Sequence, residues 1–369
     1  MALPLPLSYP PMEALSVPAI PEGTDWLYEP KWDGFRCLAF RDGAEVALQS
    51  KSGQPLARYF PEVVKSVKSV KAPSFVLDGE IVVPVGRELS FDGLLQRIHP
   101  AESRIRKLAA ESPALFVVFD LLVDEKGKSL TSDTLRRRRP KLEAFAKKFF
   151  FSGGGVRLSP ATSDLPVAKK WLSRAGGALD GVVAKRLDFD YDSGSGERTG
   201  MQKIKLLRTA DCVVGGFRYA SKGKVVGSLL LGLYNEEGLL DHVGFCSGLM
   251  AAFRKELTPE LEALIQPSGF TGTAPGGVSR WSTERSEEWQ PLAPRLVVEI
   301  QYDHFTGGRF RHGTRLLRFR PDKKPRKCTI DQVQRPRTTS PLDLIRAAPR
   351  ASPASRRVRR PKRSPRPKK

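Results

Sequence analysis

The chain has 369 residues, 62 of them Lys or Arg against 40 Asp or Glu, giving a formal net charge of +22. That length suits about two domains of ~150 residues, and that charge calls for a polyanionic partner, nucleic acid rather than membrane. No run approaches the ~18 uninterrupted apolar residues of a spanning helix, and the proline-broken, base-free N-terminus MALPLPLSYPPM does not read as a signal peptide. The expected location is therefore the cytoplasm, on the nucleoid, as a monomer with no membrane partner. Cys37, Cys212, Cys246 and Cys328 form no CxxC pair and read as small buried residues. His99, His242, His304 and His312 show no metal-ligand spacing.

Residues 1–25 are punctuated by prolines and should run extended, packed on the domain that begins at Trp26. From 26 to 207, short β-branched or aromatic runs alternate with turns and basic stretches. Strands are predicted at Arg36–Phe40, Phe75–Val85, Leu115–Val123 and Gly181–Lys185, and helices at Leu135–Phe149 and Leu165–Ala175. This mixture implies an α+β fold rather than a regular βαβ series. From 208 to 335, strands are predicted at Asp211–Phe217, Ser228–Tyr234, Leu239–Phe245, Leu296–Tyr302 and Leu316–Arg320, with a helix over Gly248–Leu264. Five strands with an inserted helix suit a small Greek-key barrel of the OB type. Residues 336–369 hold twelve Lys and Arg against one acid, Asp343, so this tail carries +11 of the total charge. With seven prolines and few large apolar residues, it should be disordered. Its expected role is an electrostatic tether to DNA phosphates.

One cluster stands out for chemistry: Glu29-Pro30-Lys31-Trp32-Asp33-Gly34-Phe35-Arg36. A lysine attacks phosphorus only when neutral, and neighbouring cations or a metal bring it toward that state. Alone, KxDGxR could arise by chance. It is followed in order by Gln49-Ser50-Lys51-Ser52-Gly53, Leu77-Asp78-Gly79-Glu80-Ile81-Val82-Val83 and Phe116-Val117-Val118-Phe119-Asp120-Leu121-Leu122. Then come Leu179-Asp180-Gly181-Val182-Val183-Ala184-Lys185 and Gln202-Lys203-Ile204-Lys205. Strand alternation would send Lys203 and Lys205 to one face, where two ammonium groups suit a phosphate. Glu80 and Asp180 offer the hard oxygen donors that Mg²⁺ prefers.

The ordered set resembles the covalent nucleotidyltransferases: ATP-dependent DNA ligases, RNA ligases and mRNA capping enzymes. Within them it is most similar to the small bacterial ATP-dependent DNA ligases of the C type, related to the ligase domain of bacterial end-joining ligases. Gly308-Arg309-Phe310-Arg311-His312-Gly313-Thr314-Arg315 and Arg318-Phe319-Arg320-Pro321-Asp322-Lys323 carry much of the likeness. It spans roughly residues 8–330 and leaves out the tail. The resemblance implies an adenylation domain of antiparallel sheets flanked by helices over 26–207 and an OB-fold domain over 208–335. The implied activity is DNA nick sealing with ATP and Mg²⁺ or Mn²⁺, in DNA repair, on nicked duplex DNA.

Residue by residue, the resemblance makes Lys31 the nucleophile that bonds to AMP. Glu29 would contact the adenine amino group, Arg36 the ribose and nick, and Phe119 would stack on adenine. Lys51 stands where the family has a phosphate-gripping arginine, keeping the charge without the fork. Glu80 would contact ribose or metal. Asp180 replaces the family's Glu, one methylene shorter, as a metal ligand. Arg198, Lys185, Lys203 and Lys205 would bind phosphate, and Arg320, Asp322 and Lys323 would close over the nucleotide and orient pyrophosphate. Two other readings are an RNA ligase or capping-type enzyme, and a non-catalytic basic DNA-binding protein. The first meets the Arg320–Lys323 segment; the second gives no reason for the ordered lysines and carboxylates.

No base-reading module is evident, so affinity should come from phosphate contacts, insensitive to sequence and steep in salt. Deleting residues 336–369 should flatten the slope of log affinity for a nicked duplex against log salt, by ~0.9 for each phosphate that the tail neutralises. Fluorescence titration at several salt concentrations checks this.

Overall fold

The computed structural model describes residues 2–151, 153–173, 179–191, 198–267, 269–276, 288–334 and 340–346. The N-terminal unit runs β1 (Leu15–Ser16), β2 (Trp26–Trp32), β3 (Phe35–Asp42), β4 (Glu45–Ser50), α1 (Pro61–Ser69), β5 (Ser74–Val82), β6 (Pro84–Val85), β7 (Glu88–Leu89), α2 (Phe91–Leu95), α3 (Glu102–Glu111), β8 (Leu115–Val123), α4 (Leu135–Phe149), β9 (Val156–Leu158), α5 (Leu165–Ser173), β10 (Leu179–Arg186) and β11 (Met201–Ile204). The C-terminal unit continues with β12 (Arg208–Tyr219), β13 (Val226–Tyr234), β14 (Leu240–Cys246), α6 (Ala251–Glu262), β15 (Gln290–Pro291), β16 (Val297–Tyr302), β17 (Phe305–Thr306), β18 (Arg309–Phe310) and β19 (Arg315–Phe319). A last helix, α7 (Pro341–Arg346), ends the described chain.

Two main sheets build the first unit, beside a small β6-β7 pair. One has the order β4-β3-β5-β8-β9, the other β1-β11-β10-β2. Pairing is antiparallel except for β8 with β9 and β1 with β11. The strand LFVVFDLLV (β8) is buried on both faces, so it reads as a continuous apolar run rather than an alternating one. Phe60, Phe75, Phe116, Leu142 and Phe145 fill the core between the first sheet and helices α1 and α4. Tyr28, Trp32, Val117, Phe119 and Trp171 join the two sheets and α5. The lead-in contributes buried Leu5, Met12 and Ile20. Pro30 hides β2 from a sequence reading. The strand tolerates it because β2 lies at a sheet edge, where a missing backbone N–H breaks no ladder.

The second unit is built on a sheet of order β14-β13-β12-β16-β19, with β15 added beside β12 and a separate two-stranded β17-β18 sheet. The five main strands lie where the sequence predicts them, and α6 sits in the predicted place between β14 and β16. The sheet curls until its edges meet: the Thr314 amide donates to the Phe245 carbonyl at 3.3 Å. No helix among the described residues is long and apolar enough to cross a membrane.

The expectation of disorder over 336–369 is corrected for part of that segment. Ser340–Arg346 returns to the first unit, where Leu342 and Ile345 are buried in the core that holds Ile20, Leu89 and Trp171. Ser340 Oγ donates to the Arg87 carbonyl. Apolar residues at 342, 344 and 345 supply what the basic composition around them conceals. A deletion starting at 336 therefore removes a packed helix as well as charge. The rest of the predicted tail lies outside the described residues.

Glycine is required where β10 runs against β11 beside the candidate site. Gly181 holds φ +141°, and a Cβ there would overlap the Ile204 carbonyl oxygen of β11. Gly181→Ala is expected to cost about 1–3 kcal/mol, as overpacking against backbone does. Thermal and urea melts against the parent check this.

Candidate active site

Alternation along β2 puts Glu29 and Lys31 on one face. The β2–β10 register sets Val183 opposite Glu29 and Gly181 opposite Lys31. Between Leu179 and Gly181 the register shifts, so Asp180 is the extra residue of a bulge. Bulges re-aim a side chain, and this one turns the Asp180 carboxylate onto the Lys31 ammonium. On the facing sheet, Arg36 of β3 lies opposite Glu80 of β5, which lies opposite Val117 of β8. Gly34 makes the β2–β3 turn possible, since a Cβ there would overlap the Ile81 carbonyl.

These elements enclose an open cleft whose empty volume, mouth included, is ≈ 840 Å³. Glu29, Lys31, Arg36, Lys51, Glu80, Phe119, Lys185 and Lys203 all line it, so the structure brings together eight residues singled out from the sequence. Glu29 is buried and held by Lys185 at 2.9 Å and Arg139 at 3.4 Å. The Phe119 ring has the Arg36 guanidinium and the Lys185 ammonium each 4.6 Å from its centroid. Asp78, fully buried, grips Arg36 through two hydrogen bonds of 2.6 Å and accepts a third from Tyr191. Lys51 and Arg198 both pair with Glu13 at 2.8 Å, and Arg198 adopts φ +54°. Lys203 has no carboxylate at ion-pair distance among the described residues. Burial, then Lys31 and Lys51, holds its ammonium below the ordinary lysine range.

Burial pushes the Glu80 carboxyl up to about 7, against the pull of Lys31 and then Arg36. Asp180 behaves oppositely. Burial works to raise it, but Lys31 and Lys205 together hold it below the usual carboxylate range. Glu80 and Asp180, the two carboxylates expected to hold a metal, are placed differently. Glu80 faces the cleft, whereas Asp180 lies behind Lys31 at the seam between the two units.

Six predicted positions are not among the residues that line the cleft: Asp180 lies behind Lys31, Arg198 is paired with Glu13, and Lys205, Arg320, Asp322 and Lys323 turn elsewhere. Strand β11 ends at Ile204, so alternation does not carry Lys205 to the face of Lys203. Its ammonium turns to Asp180 at 3.2 Å and Asp303 at 2.9 Å. Arg320, Asp322 and Lys323 cluster on the second unit. Arg320 pairs with Asp322 at 2.8 Å and Asp211 at 3.0 Å, and Lys323 pairs with Asp211 at 2.5 Å. Sequence reasoning also missed Glu13, Arg139, Asp303, His304 and Arg311. Arg311 pairs with Asp33 across the seam and lies 3.3 Å above the Phe91 ring. Asp303 and His304 directly succeed a predicted strand, the one signal that could have drawn attention to them.

Residues 11–205 match the family model described as ATP dependent DNA ligase domain, and residues 222–323 match ATP dependent DNA ligase C terminal region. The chain is 41% identical over 363 residues to DNA ligase C of Mycobacterium tuberculosis, covering 94% of this chain and 99% of that protein. It is likewise 41% identical to DNA ligase C2 of Mycolicibacterium smegmatis, covering 94% and 100%. The solved ligase domain of M. tuberculosis LigD aligns at 26% identity and a TM-score of 0.43, over 88% of this chain and 98% of that one. With both family regions present in order, and a lysine-lined cleft formed within the first of them, the chain belongs to the ATP-dependent DNA ligases and has their mixed α/β nucleotidyltransferase-type fold.

Proposed function

We propose that this ligase adenylates its own Lys31 and passes the AMP to the 5′-phosphate of a nick. The observation that carries the reading is Lys31 on the cleft wall, with Glu80 and Lys203 lining the same space and Asp180 paired behind it. Residues 26–207 form the adenylation domain in this reading, with 1–25 packed on it. Residues 208–335 form an OB-type barrel, a reading supported by the meeting of the sheet's edges at Thr314 and Phe245.

In the first step Lys31 releases its proton and Nζ attacks the α-phosphorus of ATP. An N–P bond forms as the bond to pyrophosphate breaks. Phe119 offers an aromatic face for adenine. Glu29, fixed by Lys185 and Arg139, presents a carboxylate to the adenine amino group. In the second step a 5′-phosphate oxygen displaces Lys31 from phosphorus. In the third, the 3′-hydroxyl attacks that 5′-phosphate and AMP leaves. Lys51, Arg198 and Lys203 counter the phosphate charge, Lys51 and Arg198 by exchanging Glu13 for phosphate. Catalysis on this plan is positioning and charge neutralisation. A Mg²⁺ or Mn²⁺ ion would be held by Glu80 on the cleft side or by Asp180 on the seam side, and would supply further neutralisation of phosphate oxygens. The buried, unpartnered Oδ1 of Asp180 fits that role. Arg320, Asp322 and Lys323 reach the nucleotide only if the barrel turns, since they now face Asp211.

Incubation with labelled ATP and a divalent cation should load one AMP on the parent and none on Lys31→Ala; an AMP adduct on the variant would remove this assignment. Glu80 generates a second expected outcome. Its folded-state value of about 7 exceeds the ordinary 4.5, so the folded protein binds that proton more tightly than the unfolded chain. Stability from this group is complete below 4.5 and falls as pH rises to about 7. With chelator present, Glu80→Gln should therefore be more stable than the parent at pH 8, by about 1–3 kcal/mol at ~1.4 kcal/mol per pH unit. The gap should close near pH 4.5, and melts at both pH values check it.

A further inference from the structure

The seam between the two units holds buried polar atoms that make no hydrogen bond. Strand β16 ends at Tyr302, and the next two residues, Asp303 and His304, press onto the first unit ahead of β17. His304 is only 2% exposed. Neither of its ring nitrogens makes a hydrogen bond, and neither does Oδ1 of Asp180. Native proteins satisfy nearly all such groups, so three orphans at one point call for a ligand.

Their geometry says which kind. His304 Nδ1 lies 3.4 Å from Asp180 Oδ1. One donor atom each from Asp180, Asp303 and His304 falls within 4.8 Å of the others. A first-row dication holds such donors at ~2.1 Å, which sets them ~3–4 Å apart. The opposite ring nitrogen, Nε2, lies 3.8 Å from Oδ2 of Asp33. A metal-bound imidazole ordinarily turns its other nitrogen to a carboxylate, and the carboxylate orients it. Asp33 has that place, itself fixed by Arg311.

We infer that Asp180, Asp303 and His304 form a divalent-cation site across the seam between the two units. This deepens the proposed reading of Asp180 as a metal carboxylate, and rests on it, by adding two ligands from the other unit. One imidazole beside two carboxylates suits Mn²⁺ and similar transition-metal ions better than Mg²⁺, which takes oxygen donors. The bulge at Asp180 aims its carboxylate at the seam. Lys205 now bridges the two carboxylates and Lys31 pairs with Oδ2 of Asp180. Both are long, flexible side chains, and an entering ion takes the position that Lys205 leaves. Since the ligands come from both units, the site exists only while the Asp303–His304 turn is docked. Occupancy and the position of the second unit are therefore linked.

The test is Mn²⁺ added to the nucleotide-free full-length protein, read by electron spin echo modulation and by titration of bound Mn²⁺. The parent should show ¹⁴N modulation from one imidazole. His304→Ala and the bulkier His304→Gln should both lose it, and His312→Ala, which removes another ring beside Asp303, should keep it. Asp303→Asn should weaken Mn²⁺ binding at least tenfold. Absence of nitrogen modulation in the parent, or its persistence in both His304 variants with unchanged affinity, overturns the site. Lys31→Ala separates the two readings. It should retain the modulation while losing the AMP adduct, so either claim can fail alone.

Discussion

The structure depends on charge compensation inside a cleft crowded with cations. Lys31, Lys51, Arg36, Lys185 and Arg198 each meet a carboxylate: Asp180, Glu13, Asp78, Glu29 and Glu13 again. Without those anions, like charges a few ångströms apart in a partly dry site would repel strongly. With them, the site is assembled before any nucleotide arrives. Binding a phosphate then means exchanging one anion for another, which costs far less than stripping water from bare ammonium groups. Lys203 has no such partner among the described residues, and burial, then Lys31 and Lys51, disfavours its ammonium form.

The same compensation joins the two units. Asp303 binds Lys205, Arg311 binds Asp33, and His304 lies against Asp180. These contacts are polar and few, so they fit an interface that can open. The helix Pro341–Arg346 is a different kind of link. It buries Leu342 and Ile345 in the first unit after the chain has completed the second. The second unit is thus held at both ends, by the β11–β12 connection and by this returning helix.

Relatives at 41% identity covering nearly the whole chain fix the family. They leave open how this chain spends its individual charges. The carboxylate at 180 shows why. The β-bulge brings it forward onto Lys31 and the seam. That placement is invisible in a residue-by-residue comparison.

Much of this protein is legible in its sequence, for local reasons. Leu115–Val123 and Leu135–Phe149 form the predicted strand and helix with the predicted bounds, because apolar runs and helical spacing are properties of short segments. The ordered lysines and carboxylates point to the cleft because eight of the residues singled out lie on strands, or beside them, that pair with or face one another. Other features have no local signature. Pro30 disguises the strand carrying Lys31, which only an edge position permits. Leu342, Leu344 and Ile345 are outweighed by the basic composition around them, though they dock in a core far upstream in chain order, with Trp171. Strand β11 ends one residue short of Lys205, turning that lysine to the seam. Asp303 and His304 reach Asp180 only because the curled second sheet folds back on the first unit. The sequence by itself determined the main strands and helices, the family and most of the cleft lining, since these arise from neighbours along the chain. Tertiary structure alone decided which charge meets which, because ion pairs and orphaned nitrogens depend on distances that no sequence separation encodes.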